Sequence, residues 1–407
     1  MKVLAVSDTH VSDRITLGGA SPTVDGRPLV LEQARRALAW VRDTAVKHEV
    51  DLVLHGGDVY DEPRPSPAAE AVVVDWLIEM TEIAPTIVLV GNHDRPSGGG
   101  THALEPVRNL APDRLIVADD ADPVFLLPAV GRTWSRVTRN RSMLRASDDA
   151  ELVVFPIPYP DKARARAAAV DADAANLALS GGLEAVLADC AQQTGYWRLG
   201  GTPCAILMHG TLRGASFGSR VAPLSDVQVP AAQWWPAFDL HACGHIHQRQ
   251  ACPGRPDLPG YVGSLDRMDF GEAEDVPGVA IYTVTRGEER PRVDVEHIPY
   301  PGARRYETID LDEQPAPDVL EPGETVYRVR GTLTPDDHAR IGTLVRSWRA
   351  RGCIVSNQTT VAAEARARVD VSAEDALSRE ALVDRALEAR PDLAEHKPAI
   401  LEGLEEL

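Results

Sequence analysis

The sequence predicts an α/β fold resting on a parallel sheet. Three apolar, strand-length runs near the start each end in polar residues, and two segments of helical period lie between them, long enough to cross back over a sheet. Each run also ends in side chains able to bind a metal ion, at the carboxyl edge where open α/β sheets place their chemistry.

Taken in order, residues 2–8 read as a buried strand ending in Asp8-Thr9-His10. After a polar loop, Leu31, Ala34, Leu38, Val41 and Ala45 recur at helical spacing. Residues 51–55 form the second strand, ending in Gly56-Gly57-Asp58; beyond the turn-rich 63–67, Val72, Val73, Trp76, Leu77 and Met80 mark the second helix. The third strand, 86–90, ends in Gly91-Asn92-His93-Asp94. The pattern loosens over 96–151, where Arg132, Arg136, Arg139, Arg141 and Arg145 cluster. A strand at 152–159 and an Ala-rich helix from about 162 to 190 follow. Two buried strands come next, 204–208 ending in His209-Gly210 and 240–243 ending in Gly244-His245-Ile246-His247. Segments 261–265 and 278–285 read as closing strands of a domain covering residues 1–299. A proline-rich change of composition then introduces a small α/β module, 300–362. It has strands at 325–330 and 353–361 around a helix with Thr334 as N-cap, Pro335 at its first position and an apolar stripe of Ile341, Leu344, Val345 and Trp348. From 363 to 407 the chain is charged and helix-prone, with Leu377, Leu382 and Leu387 at helical spacing.

The 407 residues are 44% hydrophobic and exceed one small core. No run of about 18 apolar residues occurs, and the first strand passes directly into Ser7-Asp8, so a cytoplasmic enzyme with no membrane association is expected. Cys190, Cys204, Cys243, Cys252 and Cys353 are odd in number, scattered and free of any CxxC pair. They point to reduced, mostly buried thiols and away from a disulfide framework or a thiolate zinc site. The net charge of -19 argues against tight unaided binding of nucleic acid, because that affinity rests on cations neutralising phosphates. Divalent ions and local arginines can reverse the sign where a substrate sits.

The strand ends together offer Asp8, His10, Asp58, Asn92, His93, His209, His245 and His247. Carboxylates, an amide and imidazoles without thiolates suit a pair of borderline-hard divalent ions such as manganese, iron or zinc. Asp58 is the natural bridge, since a carboxylate between two cations offsets their repulsion. A single histidine at a strand end is more often structural than a ligand, and Asp-x-His arises often by chance. GNHD and GHIH are more specific, because glycine before the polar residues permits a tight turn at the sheet edge. His48, His297, His338 and His396 fall on charged or loop-like stretches and read as exposed; His55 and His241 read as structural, and His102 fits either role.

The blocks DTH, GGD, GNHD, HG and GHIH resemble the calcineurin-like metallophosphoesterase superfamily over about the first 300 residues. The resemblance implies a four-layer sandwich, two mixed β-sheets flanked by helices, with a small α/β capping domain and a helical C-terminal tail. It implies Asp8, His10, Asp58 and His247 around one metal ion and Asp58, Asn92, His209 and His245 around the other, with Mn2+ the expected metal. Within the superfamily, GGDVYDEPRPSP, FPIPYP, FDLHACGHIHQRQ and YVGSLDRMDFGEAEDVPG are similar to SbcD-type DNA repair nucleases. That similarity implies 3'-to-5' exonuclease and endonuclease activity on DNA, and a homodimer within a heterotetramer formed with an SbcC-type SMC-like ATPase. Residues 300–362 would then cap the site and place DNA over the metals, and 363–407 would dock on the ATPase coiled coil. Where archaeal and eukaryotic relatives commonly carry a second histidine, this chain has Asp61, as bacterial members do.

In that chemistry two ions polarise the scissile phosphate and acidify a water for in-line attack. His93 would protonate the leaving 3'-oxygen, with Asp94 orienting its ring. Arg95, Arg132, Arg136, Arg139, Arg141, Arg213 and Arg267 are candidate phosphate contacts, although arginine beside a carboxylate-rich site is often a structural ion pair. Two other readings stay open. One is a phosphodiesterase or phosphatase acting on a small-molecule or nucleotide substrate, which the acidic charge favours; the other is a scaffold subunit with a vestigial site, which the full ligand set argues against.

Overall fold

The computed structural model describes residues 1–14, 23–24, 26–128, 136–139, 150–162, 165, 172–218, 227–229, 233–285, 287, 290–323, 325–361, 379–388, 390–399 and 401. Two mixed sheets packed face to face position everything else. In the first, Lys2–Val6, Leu52–His55, Thr86–Leu89 and Leu115–Ala118 lie side by side and parallel. Gly278–Thr285 and Arg292–Pro299 extend that sheet antiparallel beyond the first strand. The second sheet has a parallel centre of Leu152–Ile157, Cys204–His209, Leu240–Gly244 and Arg255–Tyr261, with antiparallel strands at both edges. Every residue of Leu52–His55, Thr86–Leu89 and Cys204–His209 is buried, which is why these strands read as continuous apolar runs.

Alternation assigns each strand residue to a layer. Leu4, Val6, Val53 and Val88 pack outward with Leu31, Leu38 and Val41 of the helix Leu29–His48 and with Val73, Leu77 and Met80 of the helix Pro67–Ile83. Val3, Ala5, Leu54 and Ile87 turn inward onto Leu126, Val154, Leu207 and Ala242 of the second sheet. The far face of that sheet packs Phe155, Ile206 and Met208 on Leu187, Cys190 and Trp197 of the helix Ala172–Leu199. The layers run helix, sheet, sheet, helix. Each Leu or Ile removed from water in them contributes roughly 1.5–3 kcal/mol, the reserve that offsets strained backbone at the strand ends.

Two elements differ from expectation. The Ala-rich helix runs on to Leu199, past residue 190, because buried Trp197 extends its apolar face. The strand expected at 261–265 instead ends at Tyr261; Gly263 adopts φ +90°, and a side chain there would press on the backbone of His247 and Arg249.

A separate sheet, parallel throughout, joins Arg305–Asp310, Thr325–Leu333 and Ile354–Val361. The helix Pro335–Ala350 crosses between its last two strands. Thr334 caps it by accepting the Asp337 amide on Oγ1 at 3.2 Å, and Ile341, Val345 and Trp348 close a core of their own with Val329 and Val355. Farther on lie a helix, Arg379–Glu388, and a 3-10 turn, Pro391–His396; Leu377 falls outside the described residues. Among the described residues no helix is long and apolar enough to cross a membrane. All five cysteines are buried and none is in a disulfide. His48, His297 and His338, expected to be exposed, are half-buried.

Candidate metal centre

The parallel strands of both sheets finish at one edge, and the loops leaving them are laced together. Asp8 and His10 donate their amides to the carbonyls of Gly57 and Asp58 at 3.0 and 3.1 Å, so the first two loops continue side by side after their strands stop. Asp8, His10, Asp58 and His245 adopt positive φ of 51°, 42°, 52° and 92°. Such backbone costs on the order of 1–3 kcal/mol per residue and persists only where the surroundings over-determine it. Glycine supplies the remaining room. A side chain on Gly91 would collide with the Asp58 carboxylate and amide, and one on Gly244 with Ser7 and the Gly56 carbonyl.

Among the described residues three groups of ligand-type atoms form; one is His10, Asp61 and His93, and the other two hold residues expected around the metal ions. Asp8, His10 and His247 bring theirs within 4.8 Å of one another, as do Asp58, His209 and His245. Asn92 belongs with the second, its Oδ1 lying 3.0 Å from His209 Nε2 and 2.8 Å from His245 Nδ1. Asp58 Oδ2 stands 3.8 Å from His10 Nε2 and 3.4 Å from His209 Nε2, so one carboxylate reaches both groups.

The hydrogen bonds of the ring nitrogens bear on whether metal ions fit. His247 donates from Nδ1 to Glu272 Oε1 at 2.6 Å, which leaves a lone pair on Nε2, facing His10 Nε2 at 3.1 Å. His209 donates from Nδ1 to the Gly56 carbonyl at 2.6 Å, and its Nε2 lone pair faces the Asn92 and Asp58 oxygens. With His209 neutral, its Nε2 and the Asn92 and Asp58 oxygens are acceptors facing one another in a buried place, an arrangement that a cation between them would resolve. The charges agree. Burial pushes the His209 imidazolium down, but the Asp58 carboxylate outweighs it and lifts the pKa to about 9. Burial likewise favours neutral Asp58, yet the imidazoles of His209 and His10 hold it far below the carboxylate range.

Asp94 has partners other than the expected one. It is fully buried and accepts the amides of Gly91 at 2.9 Å, Tyr60 at 3.0 Å and Val59 at 3.3 Å, so it clamps two ligand loops together. Burial and nearby Asp58 push its carboxyl up to about 6. The His93 ring is held instead by Asp61, whose carbonyl accepts from Nδ1 at 2.7 Å. The His93 side chain is 43% exposed, its amide donates to Asp58 Oδ1 at 2.8 Å, and its ring meets that of His10 edge-on at 4.7 Å.

The arginines divide. Arg267 spends its guanidinium on the carbonyls of Asp275 and Arg304, which corrects its assignment as a phosphate contact: its donors hold a loop. Arg95 lies 3.9 Å from Asp161, and Arg139 pairs with Asp120. Arg213 is exposed after the HG block. Arg132, Arg141 and Arg145 lie outside the described residues, as does the side chain of Arg136. His55 and His241 are structural, hydrogen-bonded to Thr9 and to the Trp235 carbonyl, and burial pushes both down to about 4. His102 is structural too, accepting from Arg108 at 3.0 Å.

Residues 1–161 match the family model described as calcineurin-like phosphoesterase. The chain carries a calcineurin-like metallophosphoesterase domain. It is a hydrolase of phosphoester bonds, and the two ligand groups of this metallophosphoesterase are suited to a dimetal centre. The SbcD subunit of the nuclease SbcCD from Rhodobacter capsulatus is 24% identical over 335 residues, 79% of this chain and 74% of that protein. Its namesake from Escherichia coli K12 is 26% identical over 266 residues, 62% of this chain and 59% of its own length. DNA double-strand break repair protein Mre11 of Sulfurisphaera tokodaii is 32% identical over 96 residues, 23% of this chain and 22% of that protein.

The sequence reading missed Glu272 and Ser7. Ser7 was readable as part of the first strand end, and it donates to Asp8 Oδ2 at 2.6 Å. Glu272 lies within the YVGSLDRMDFGEAEDVPG block, but nothing in that block names its partner.

Proposed function

We propose that this metallophosphoesterase is a DNA nuclease with 3'-to-5' exonuclease and endonuclease activity, working as the nuclease subunit beside an SbcC-type SMC-like ATPase. The observation that carries the proposal is the reach of the likeness: alignments to the SbcD subunits of SbcCD nucleases cover 62% and 79% of the chain, well beyond the residues of the phosphoesterase match. The similarity of the YVGSLDRMDFGEAEDVPG block supports it.

Asp8, His10, Asp58 and His247 would hold one ion, and Asp58, Asn92, His209 and His245 the other, with manganese the proposed metal. Bound there, such ions supply Lewis-acid polarisation of a phosphate and an acidified water. The chain's own residues do the remaining work. Ser7 and the His245 amide fix the Asp8 carboxylate, the amide at 3.0 and 3.1 Å. Asp94 holds the GNHD turn against the loop of Asp58. His93 has Nδ1 engaged by Asp61, so Nε2 is the atom left to deliver a proton to the leaving 3'-oxygen. Arg213 remains a candidate phosphate contact. Residues 300–362 would cap the site and 363–407 would dock on the ATPase, in a cytoplasmic homodimer within a heterotetramer.

Purified protein with manganese, assayed on linear duplex DNA and on bis-p-nitrophenyl phosphate, tests this. Cleavage of both is expected. Cleavage of the generic diester alone would overturn the proposal in favour of a small-molecule phosphodiesterase, the reading that the charge of -19 supports. Cleavage of neither would point to a scaffold subunit.

A further inference from the structure

Glu272 is 4% exposed and both of its oxygens are engaged. Oε1 accepts from His247 Nδ1 at 2.6 Å, and Oε2 accepts the Met268 amide at 2.6 Å. A buried carboxylate costs several kcal/mol of desolvation unless matched in this way. Placed behind His247, it fixes the tautomer in which Nε2 is unprotonated and would make the ring a better metal ligand.

The loop that carries Glu272, residues 265–275, is also bound to the small three-stranded sheet. Asp266 accepts the Arg304 amide and its Nε, each at 2.7 Å, and Arg267 donates to the Arg304 carbonyl at 2.8 Å. Tyr306, on the strand Arg305–Asp310, donates its hydroxyl to the Met268 carbonyl at 2.8 Å. The Phe270 ring meets Tyr306 edge-on at 5.0 Å, and the Arg328 guanidinium of the neighbouring strand lies 4.4 Å over the Phe270 ring. Met268 is the junction. Its carbonyl is held by the small sheet and its amide by the carboxylate that orients His247.

We infer that Glu272 is a positioning residue for His247, and that the 265–275 loop couples the small three-stranded sheet to the His247 side of the metal centre. This rests on the proposed role of His247 as a ligand. Three hydrogen bonds in series, Tyr306 to Met268, Met268 to Glu272 and His247 to Glu272, form the path. A shift of the small sheet on engaging substrate or partner thus alters how firmly His247 holds its ion.

Titration of the metal-free full chain with Mn2+, by calorimetry and by counting bound ions after desalting, tests both parts. Glu272→Ala is expected to weaken one of two sites by about 10- to 100-fold, and Glu272→Gln, which retains an acceptor oxygen, to recover most of that loss. Tyr306→Phe, which removes only a hydroxyl, is expected to weaken the same site severalfold with little change in the unfolding midpoint. Parent-like binding in Glu272→Ala overturns the positioning role, and parent-like binding in Tyr306→Phe overturns the coupling. If the alanine variant fails to fold, Glu272→Gln carries the first part: weakening beyond that of a control Glu274→Gln supports it, and equality with the control overturns it. Asp58→Ala separates the underlying reading, because two ions bound there as in the parent would sink the metal centre itself.

Discussion

The carboxyl edge of the two large sheets and the small three-stranded sheet are both built on parallel strands, but they treat the backbone differently. At the edge, Asp8, His10, Asp58 and His245 take positive φ; among the described residues of 305–361, positive φ falls only on Gly323, Gly331 and Gly352. Among the described residues the remaining non-glycine case, Glu49, merely ends a helix. Strain has been placed where side chains from different strands must converge, and the buried layers around that edge hold it there.

Breaking the strained edge should have the largest effect. Asp58→Ala removes the carboxylate that reaches both ligand groups, and metal content and bis-p-nitrophenyl phosphate hydrolysis should both fall to background. His93→Ala should keep its metal ions but lose about 10²- to 10⁴-fold in cleavage, the usual worth of a placed proton donor. Full manganese-dependent activity in that variant would remove His93 from the mechanism. In the small sheet the pattern should invert. Trp348→Ala opens a cavity at a fully buried position and should cost about 3–5 kcal/mol in urea unfolding, while the folded protein keeps its metal content.

The imidazoles sharpen the same contrast by pH. His55 and His241, lowered to about 4, are buried neutral, so between pH 6.5 and 4 the unfolded chain binds protons that the folded chain refuses. Their contribution is complete above pH 6.5 and is lost as pH falls toward 4, on the order of 3 kcal/mol for each. Urea midpoints measured from pH 7 to 4.5 should decline, and less steeply in His241→Gln.

The gathering of the candidate ligands was legible because its signal is local: residue type, glycine placement and position after an apolar strand are all written in short blocks such as GNHD and GHIH. The four layers followed from the same blocks. What escaped depends on geometry that short spacing does not carry. Glu272 meets His247 from 25 residues away, through a turn at Phe270–Glu272. Asp94 stands next to His93 in sequence, yet the turn aims it inward at backbone amides. Arg267 has the composition of a phosphate contact, and only the fold shows that carbonyls occupy its donors.

The candidate ligands come from both large sheets. Asp8, His10, Asp58 and Asn92 follow strands of the first sheet, while His209, His245 and His247 close or follow strands of the second. An ion held by both would rivet the seam of the sandwich, and only the folded chain would bind it. The melting point should therefore climb with the logarithm of ion concentration, by about 2.7 kcal/mol of added stability at a hundredfold excess over the dissociation constant. Chelation would start the two sheets parting at the edge where the chemistry sits.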